Sequence, residues 1–248
     1  MKLFNILTTF PSMFDALNYS MIKRASEDGK IKINVVNIRD FSASKNRNTD
    51  DYPYGGGKGM IMTCQPIISA LDSLNEKGHV IFMSPKGTVL NQQKVQELSK
   101  KSSITILCGR YEGIDQRIID YYVDEEISIG DYVLTGGELP AMVLLDTLTR
   151  LEEGVLNEEA YSNESHYNGL LEYCQYTRPD IFEDYAVPEV LLSGNHRLIE
   201  EYKKINSLQE TFLKRPDLLE KRGLTDEESK ILIALFGDKK DDIIKFIK

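Results

Sequence analysis

The chain has 248 residues, with 39 acidic and 30 basic side chains and a net charge of −9. That length accommodates one large domain or two smaller ones. A hydrophobic content of 41% without a long apolar run excludes a transmembrane helix, so no membrane partner is expected; the acidic balance excludes a uniformly basic nucleic-acid surface and leaves only local clusters of Lys and Arg.

The opening residues Met1–Leu7 turn polar too quickly for a signal peptide and read as a first strand. Strands over 3–10 and 31–38 flank a helical stretch over 15–26 with Phe14, Leu17 and Met21 or Ile22 on one face. This β-α-β unit implies a parallel sheet with a right-handed crossover. Residues 39–60 break the rhythm, and a loop this long inside a compact domain is usually functional or mobile. The loop carries Lys45 and Arg47 and ends in Tyr52-Pro53-Tyr54 and the run Gly55-Gly56-Gly57-Lys58-Gly59. That run fails both the GxxxxGK[ST] and GxGxxG spacings, because Gly59 stands where Ser or Thr is needed, so a phosphate cradle is not expected.

A helix over 65–74, a strand over 79–83, a turn at Ser84-Pro85-Lys86-Gly87, a helix over 92–99 and a strand over 104–108 follow. The chain then alternates strands and glycine loops: Gly109 to Gly113, a strand ending at Gly130, the pair Gly136-Gly137, and an apolar-periodic helix from Ala141 to Leu151. Glycine lets backbone approach a ligand closely, and ligands in α/β folds bind at the carboxyl ends of strands. Three such loops close in sequence point to one pocket.

Residues 1–158 therefore read as one α/β domain, 159–175 as a polar linker, and 176–248 as a small, mainly helical domain. In the last part, 180–189 is irregular and Val190-Leu191-Leu192 is a short apolar run. Helices are expected over 197–204, 207–214 and 226–236, the last opened by a capping box of Thr225 and Glu228. Pro216 and Gly223 punctuate the gaps. Three scattered cysteines (Cys64, Cys108, Cys174) and three scattered histidines (His79, His166, His196) show no metal-ligand spacing and fit a reducing, cytoplasmic setting.

Four blocks stand in order: Tyr52 to Met60 (YPYGGGKGM), Leu107 to Asp115 (LCGRYEGID), Ile127 to Glu138 (ISIGDYVLTGGE), and Tyr176-Thr177-Arg178-Pro179 followed by Leu191 to His196 (LLSGNH). Together they closely resemble the bacterial tRNA (guanine-N1)-methyltransferases, of the SPOUT (trefoil-knot) class, from Met1 to near the carboxyl terminus. The resemblance implies an α/β fold with a parallel-sheet SPOUT domain, a deep trefoil knot around 84–140, and a small helical C-terminal domain. It also implies S-adenosylmethionine as cofactor, tRNA as substrate, methylation of the guanosine just 3′ of the anticodon, and an antiparallel homodimer with an active site shared between chains. Turnover in the family is linked to Mg²⁺, for which the sequence offers no ligand cluster.

Guanine N1 carries a proton, so its methylation needs a general base near N1 and a donor to stabilise charge growing on O6. By resemblance Arg150 is that donor; by its type alone it reads as a surface arginine at a helix end. The base position is where this chain departs. The family places an aspartate before the Gly-Leu-Leu that precedes Tyr-Thr-Arg-Pro, and here that residue is Asn168. An amide hydrogen-bonds guanine but takes no proton near neutral pH. Three readings stand: another group, with His166 and Glu172 nearest in sequence, is the base; the chain is a weakened, knotted RNA- and cofactor-binding protein; or the site is altered in an otherwise active enzyme. Asn168-Gly169 is also a natural turn and the dipeptide most prone to deamidation, which restores a carboxylate.

For the cofactor, resemblance carries over Ser84 and Pro85 in the first loop and Gly109 and Glu112 in the second. In the third it carries over Ile129, Gly130, Asp131, Tyr132, Val133, Leu134, Gly136, Gly137 and Pro140. Glu112 suits an ammonium or hydroxyl, or is a solvated turn acid; Tyr111 and Tyr132 stack on a base or fill the core. RNA-binding candidates are Lys45, Arg47, Lys58 and Arg178, with the basic residues of the helical domain.

Overall fold

The computed structural model describes residues 1–157 and 164–246. The chain divides into two compact units, Met1–Asn157 and Glu158–Lys248.

The first unit runs β1 (Lys2–Thr8), α1 (Ser20–Glu27), β2 (Ile31–Asn37), β3 (Asp50–Asp51), β4 (Ile61–Met62), α2 (Cys64–Asp72), β5 (His79–Val89), α3 (Gln92–Leu98), β6 (Ser103–Cys108), α4 (Gln116–Tyr122), β7 (Glu125–Ser128) and α5 (Glu138–Thr149). Its central sheet has the order β2-β1-β6-β5-β7 and is parallel throughout. Parallel sheets are covered on both faces, and the period of two along each strand divides the core. Along β5, Ile81 and Met83 face one layer with Leu144, Leu145 and Leu148 of α5 and Val95 and Leu98 of α3. Val80 and Phe82 face the other, with Ile67, Ala70 and Leu71 of α2 and Ile118 of α4. Each fully buried aliphatic or aromatic side chain contributes about 1.5–3 kcal/mol, so the three inner strands, β1, β6 and β5, anchor the unit.

The expected helix over 15–26 is divided. A 3₁₀ segment, Pro11–Asn18, precedes α1, and Ser20 at φ +58° separates them. Phe14 and Leu17 are buried from the first piece, Ile22 and Ala25 from the second. A positive φ lies outside the right-handed helical region, so the backbone at Ser20 cannot carry one helix through. The expected turn at Ser84–Gly87 does not end its strand. β5 continues to Val89, and Met83 and Thr88 both pair with Ile127, so the four residues between are looped out as a wide bulge. α4 had no counterpart in the sequence reading; Asp115 caps it by accepting from Arg117 N–H at 3.0 Å.

The second unit has helices Glu189–Leu192, His196–Lys214, Pro216–Arg222, Asp226–Leu235 and Lys240–Ile244, and a two-stranded hairpin, Ile181–Phe182 with Tyr185–Ala186, in the stretch expected to be irregular. Its core gathers Leu170, Leu208, Phe212, Leu219, Leu224, Leu232, Ile243 and Phe246. The two helices expected over 197–214 are one, and its buried face carries Leu208, Thr211 and Phe212. Asn206, a poor helix former, is employed within it: its Oδ1 accepts from Cys174 N–H at 2.6 Å. Pro216 opens a helix rather than breaking one, as proline does at a first helical position. The capping box of Thr225 and Glu228 is formed. Of the stretch expected as a linker, 159–163 lies outside the described residues. From Glu164 on, the chain is fastened to the helical unit: Leu170 is buried, and Leu171 N–H donates to Thr211 Oγ1 at 2.9 Å.

Candidate functional site

The sequence stops three strands together. β5 loops out at Ser84, β6 ends at Cys108, and β7 ends at Ser128, all on one edge of the sheet. A cleft of about 270 Å³ opens there. It is lined by Ser84 and Pro85 of the bulge, by Gly109 to Gly113, by Ile129, Gly130 and Tyr132 to Gly137, and by Pro140. Every residue expected to hold the cofactor lines it except Asp131, which is exposed and points its position outside the lining.

Glycines build the cleft. Gly137 has φ −81°, an ordinary helical value. A Cβ on it would stand 2.8 Å from Cys108 Cα, and one on Gly109 would stand 2.7 Å from the Phe82 ring. A side chain at Gly137 would push the third loop off the end of β6, and one at Gly109 would strike β5. Gly137 N–H donates to Gly109 O at 2.9 Å, and Arg110 pairs with Gly136 as an antiparallel bridge. Positive φ is needed elsewhere, at Gly113 and Gly130. Tyr111, at φ +59°, adopts the same region with a side chain and stands exposed at the mouth.

Behind the lining lies a buried ion pair that the sequence reading did not single out. Glu138 is fully buried at the start of α5. Its Oε1 accepts from Thr8 Oγ1 at 2.9 Å and from Arg110 Nε at 3.2 Å. Arg110 also packs over the Phe10 ring at 4.3 Å and donates to Thr135 O at 3.3 Å. A buried carboxylate is tolerable only when so paired. Both residues sit inside the quoted motifs, but their partnership depends on a crossing of loops that no spacing rule reveals. Cys108 beside them is inert: burial, then the Glu138 charge, push its thiol well up. Asp115 is likewise no proton carrier, since the Arg117 guanidinium holds its carboxyl far below the usual range.

The cleft suits an uncharged nucleoside with a cationic tail. Arg110 is its sole basic lining residue, and that charge is committed to Glu138. Ile129, Val133, Leu134 and Pro140 offer apolar walls, and Glu112 an acid. A phosphate-bearing ligand would find no basic cluster there. Residues and S-adenosylmethionine therefore fit.

The sequence profile of the family described as "tRNA (Guanine-1)-methyltransferase TrmD" matches residues 1–221. The chain belongs to this family. Relatives named tRNA (guanine-N(1)-)-methyltransferase include that of Ruminiclostridium cellulolyticum, 54% identical over 224 residues, which is 88% of this chain and 96% of the relative. That of Finegoldia magna is 55% identical over 221 residues, 88% and 95% of the two chains. That of Lactobacillus delbrueckii subsp. bulgaricus is 52% identical over 236 residues, 95% and 96%.

The remaining residues that the family pattern singles out are not among the residues lining the cleft. Arg150 follows the last residue of α5, whose first turn borders the cleft. Twelve residues of helix separate the two ends, about 18 Å at 1.5 Å per residue, further than an arginine side chain reaches. The turn after Arg150 is pinned by the buried Lys2, which pairs with Glu152 and donates to Ser99 O at 2.6 Å.

Asn168, in the second unit, is exposed in a tight loop. Its Oδ1 accepts from Leu170 N–H at 3.2 Å, and His166 N–H donates to Leu170 O at 2.7 Å. Gly169, at φ +83°, rests on the stem of Arg222: a Cβ there would stand 2.9 Å from Arg222 Cδ. Arg222 is in turn held by Glu228 through two hydrogen bonds of 2.8 and 3.0 Å. His166 is exposed and Glu172 half-buried in the same loop.

Among the RNA-binding candidates, Lys45, Arg47, Lys58 and Arg178 are all exposed. Arg47 pairs with Asp40 at 3.2 Å. The chain just after Lys58 is laced to the cleft's second loop: Glu112 N–H donates to Met60 O and Met62 N–H to Gly113 O, each at 3.0 Å. Among the described residues no three His, Cys, Asp or Glu are grouped to hold a metal ion, and no helix is long and apolar enough to cross a membrane.

Proposed function

We propose that this protein carries out the reaction its family is named for, transferring a methyl group from S-adenosylmethionine to N1 of guanine in tRNA, at the guanosine just 3′ of the anticodon. The observation that carries the reading is the cleft: in a chain of this family, the three motif loops converge at the strand ends on a space without a basic cluster. When bound, S-adenosylmethionine supplies an electrophilic methyl group on a cationic sulfur. Ser84, Pro85, Gly109 and the Ile129-to-Gly137 loop would hold it, with Glu112 facing its positive charge.

Positioning supplies much of the rate of such a transfer. The Arg110–Glu138 pair contributes here by fixing the second loop against the third. Arg150 would donate to guanine O6 as negative charge grows there. Because α5 sets it at a distance from its own chain's cleft, we assign it to the cleft of a second copy. The exposed Leu139 and Val143, one helical turn apart on α5, with exposed Val133 and Leu134, are the apolar surface such a homodimer would bury. Asn168 would contact guanine from the helical unit. As an amide it orients the base but leaves the N1 proton to solvent. Lys45, Arg47, Lys58 and Arg178 would meet tRNA phosphates, a salt-sensitive and sequence-blind contribution. The knotted threading around 84–140 belongs to the same reading, supported by β6 lying between β1 and β5 while β7 closes the far edge. No step is assigned to Mg²⁺.

The test is methyl transfer from labelled S-adenosylmethionine to tRNA transcripts with G or A after the anticodon. Transfer to the G transcript alone, with N1-methylguanine recovered on digestion, supports the reading. Equal labelling of both would sink it.

A further inference from the structure

We propose that Asn168-Gly169 is a self-modification site, at which spontaneous deamidation converts the amide into the carboxylate that the methyl transfer lacks. Asn168 is the chain's one asparagine followed by glycine. The reaction begins when the Gly169 backbone nitrogen, its proton lost to water, attacks Asn168 Cγ. The new C–N bond closes a five-membered imide, and the Cγ–Nδ2 bond breaks to release ammonia. Water then opens the imide, giving aspartate or, by cleavage on the backbone side, isoaspartate. Only water is consumed and only ammonia is lost.

The loop favours each step. Asn168 is exposed, so water and hydroxide reach it. Its Oδ1 accepts the Leu170 N–H at 3.2 Å, and that donor stabilises the oxyanion which forms when nitrogen adds to Cγ. The Gly169 N–H is weakly engaged, 3.4 Å from His166 O, so little is lost on removing its proton. Gly169 carries no Cβ to crowd the attack, and at φ +83° it holds a conformation that other residues resist. The aspartate produced keeps an oxygen for the Leu170 N–H, so the loop survives. Isoaspartate adds a backbone atom between His166 and Leu170, whose 2.7 Å pairing opposes it.

The consequence for activity rests on the proposed role of Asn168 beside guanine N1; the modification itself does not. Purified protein is incubated at mildly alkaline pH and sampled over time for peptide mass, for isoaspartate, and for single-turnover methyl transfer. Asn168→Asp serves as the fully converted reference and Asn168→Gln as the chain that cannot form the five-membered imide. We expect the Asn168 peptide to gain the deamidation mass ahead of every other asparagine, aspartate to accumulate, and the rate to rise with its fraction toward that of Asn168→Asp, about a hundredfold above the start. Asn168→Gln should stay slow throughout. An Asn168 peptide that converts no faster than the others overturns the modification site. Conversion to isoaspartate alone overturns the restored carboxylate. Full conversion to aspartate with no gain, matched by an equally slow Asn168→Asp, overturns the role of residue 168 as base and leaves the modification standing.

Discussion

The cleft of the first unit and the Asn168 loop of the second are built on opposite plans. The cleft is made of loops bonded to one another, backed by a fully buried carboxylate, and rooted in strand ends whose neighbours are buried on both faces. The Asn168 loop has one buried anchor, Leu170, and leans on an arginine that is itself held by a glutamate. The first plan gives a rigid cradle whose shape depends on the absence of side chains. The second presents a polar group to solvent on a short, supported turn. Under the proposed function, holding the cofactor falls to the first plan and meeting the guanine to the second, so each is expected to be alterable with the other left intact.

The largest expected effect lies in the second unit. Asn168→Asp should raise the single-turnover rate about a hundredfold, and the unaltered chain should show a rate that climbs with pH as guanine N1 ionises without help. A flat pH profile in deamidation-free protein, or an unchanged rate in the variant, would show that His166, Glu172 or another group already takes the proton.

The cleft is expected to fail differently. Gly130→Ala places a methyl against the Tyr132 ring at a residue of φ +153°, and should weaken cofactor binding at least tenfold by calorimetry while folding survives. Gly137→Val, whose Cβ meets Cys108 backbone, should lower the melting temperature as well. Mixing Gly130→Ala chains with Arg150→Ala chains should recover part of the activity, since one mixed site then has an intact cleft and an intact arginine. No recovery, with exchange of chains verified, breaks the assignment of Arg150 to a second copy.

A smaller effect sharpens the contrast in support. The Arg222 guanidinium, and then the Thr225 N–H, hold the Glu228 carboxyl down to about 2. A depressed carboxyl contributes stability above its ordinary value of 4.5 and loses it as pH falls from there toward 2. The helical unit should therefore loosen in that window, and Glu228→Ala should remove about 2 kcal/mol at neutral pH by leaving Arg222 unpaired. Hydrogen exchange at Leu170 and Leu171 would report it. If those amides stay protected in the variant, Arg222 is not what supports the loop.

The smallest expected effect is a null one. Asn168→Ala should change S-adenosylmethionine affinity by less than about threefold, under roughly 0.7 kcal/mol. A tenfold loss would mean that the two regions are not independent.

Much of this was readable from residue order alone. Alternating apolar runs and glycine stops marked the parallel strands, because a strand buried on both faces must be apolar and a loop that leaves it abruptly needs small residues. Thr225 and Glu228 announced a helix start, because a capping box is closed within one turn. Motif order named the family, and the same motifs supplied most of the cleft lining. What escaped depended on distance along the chain. The bulge at Ser84–Gly87 exists because β7 pairs with both Met83 and Thr88, and the single helix over Asn206 exists because Cys174 occupies its side chain. Glu138 finds Thr8 from 130 positions away, and a side chain at Gly137 would meet the backbone of Cys108. Local sequence decides what a segment prefers, since propensity, capping and periodicity act within a few residues. Only tertiary packing decided which segments meet, and at those meetings a buried charge had to find its partner and a glycine its reason.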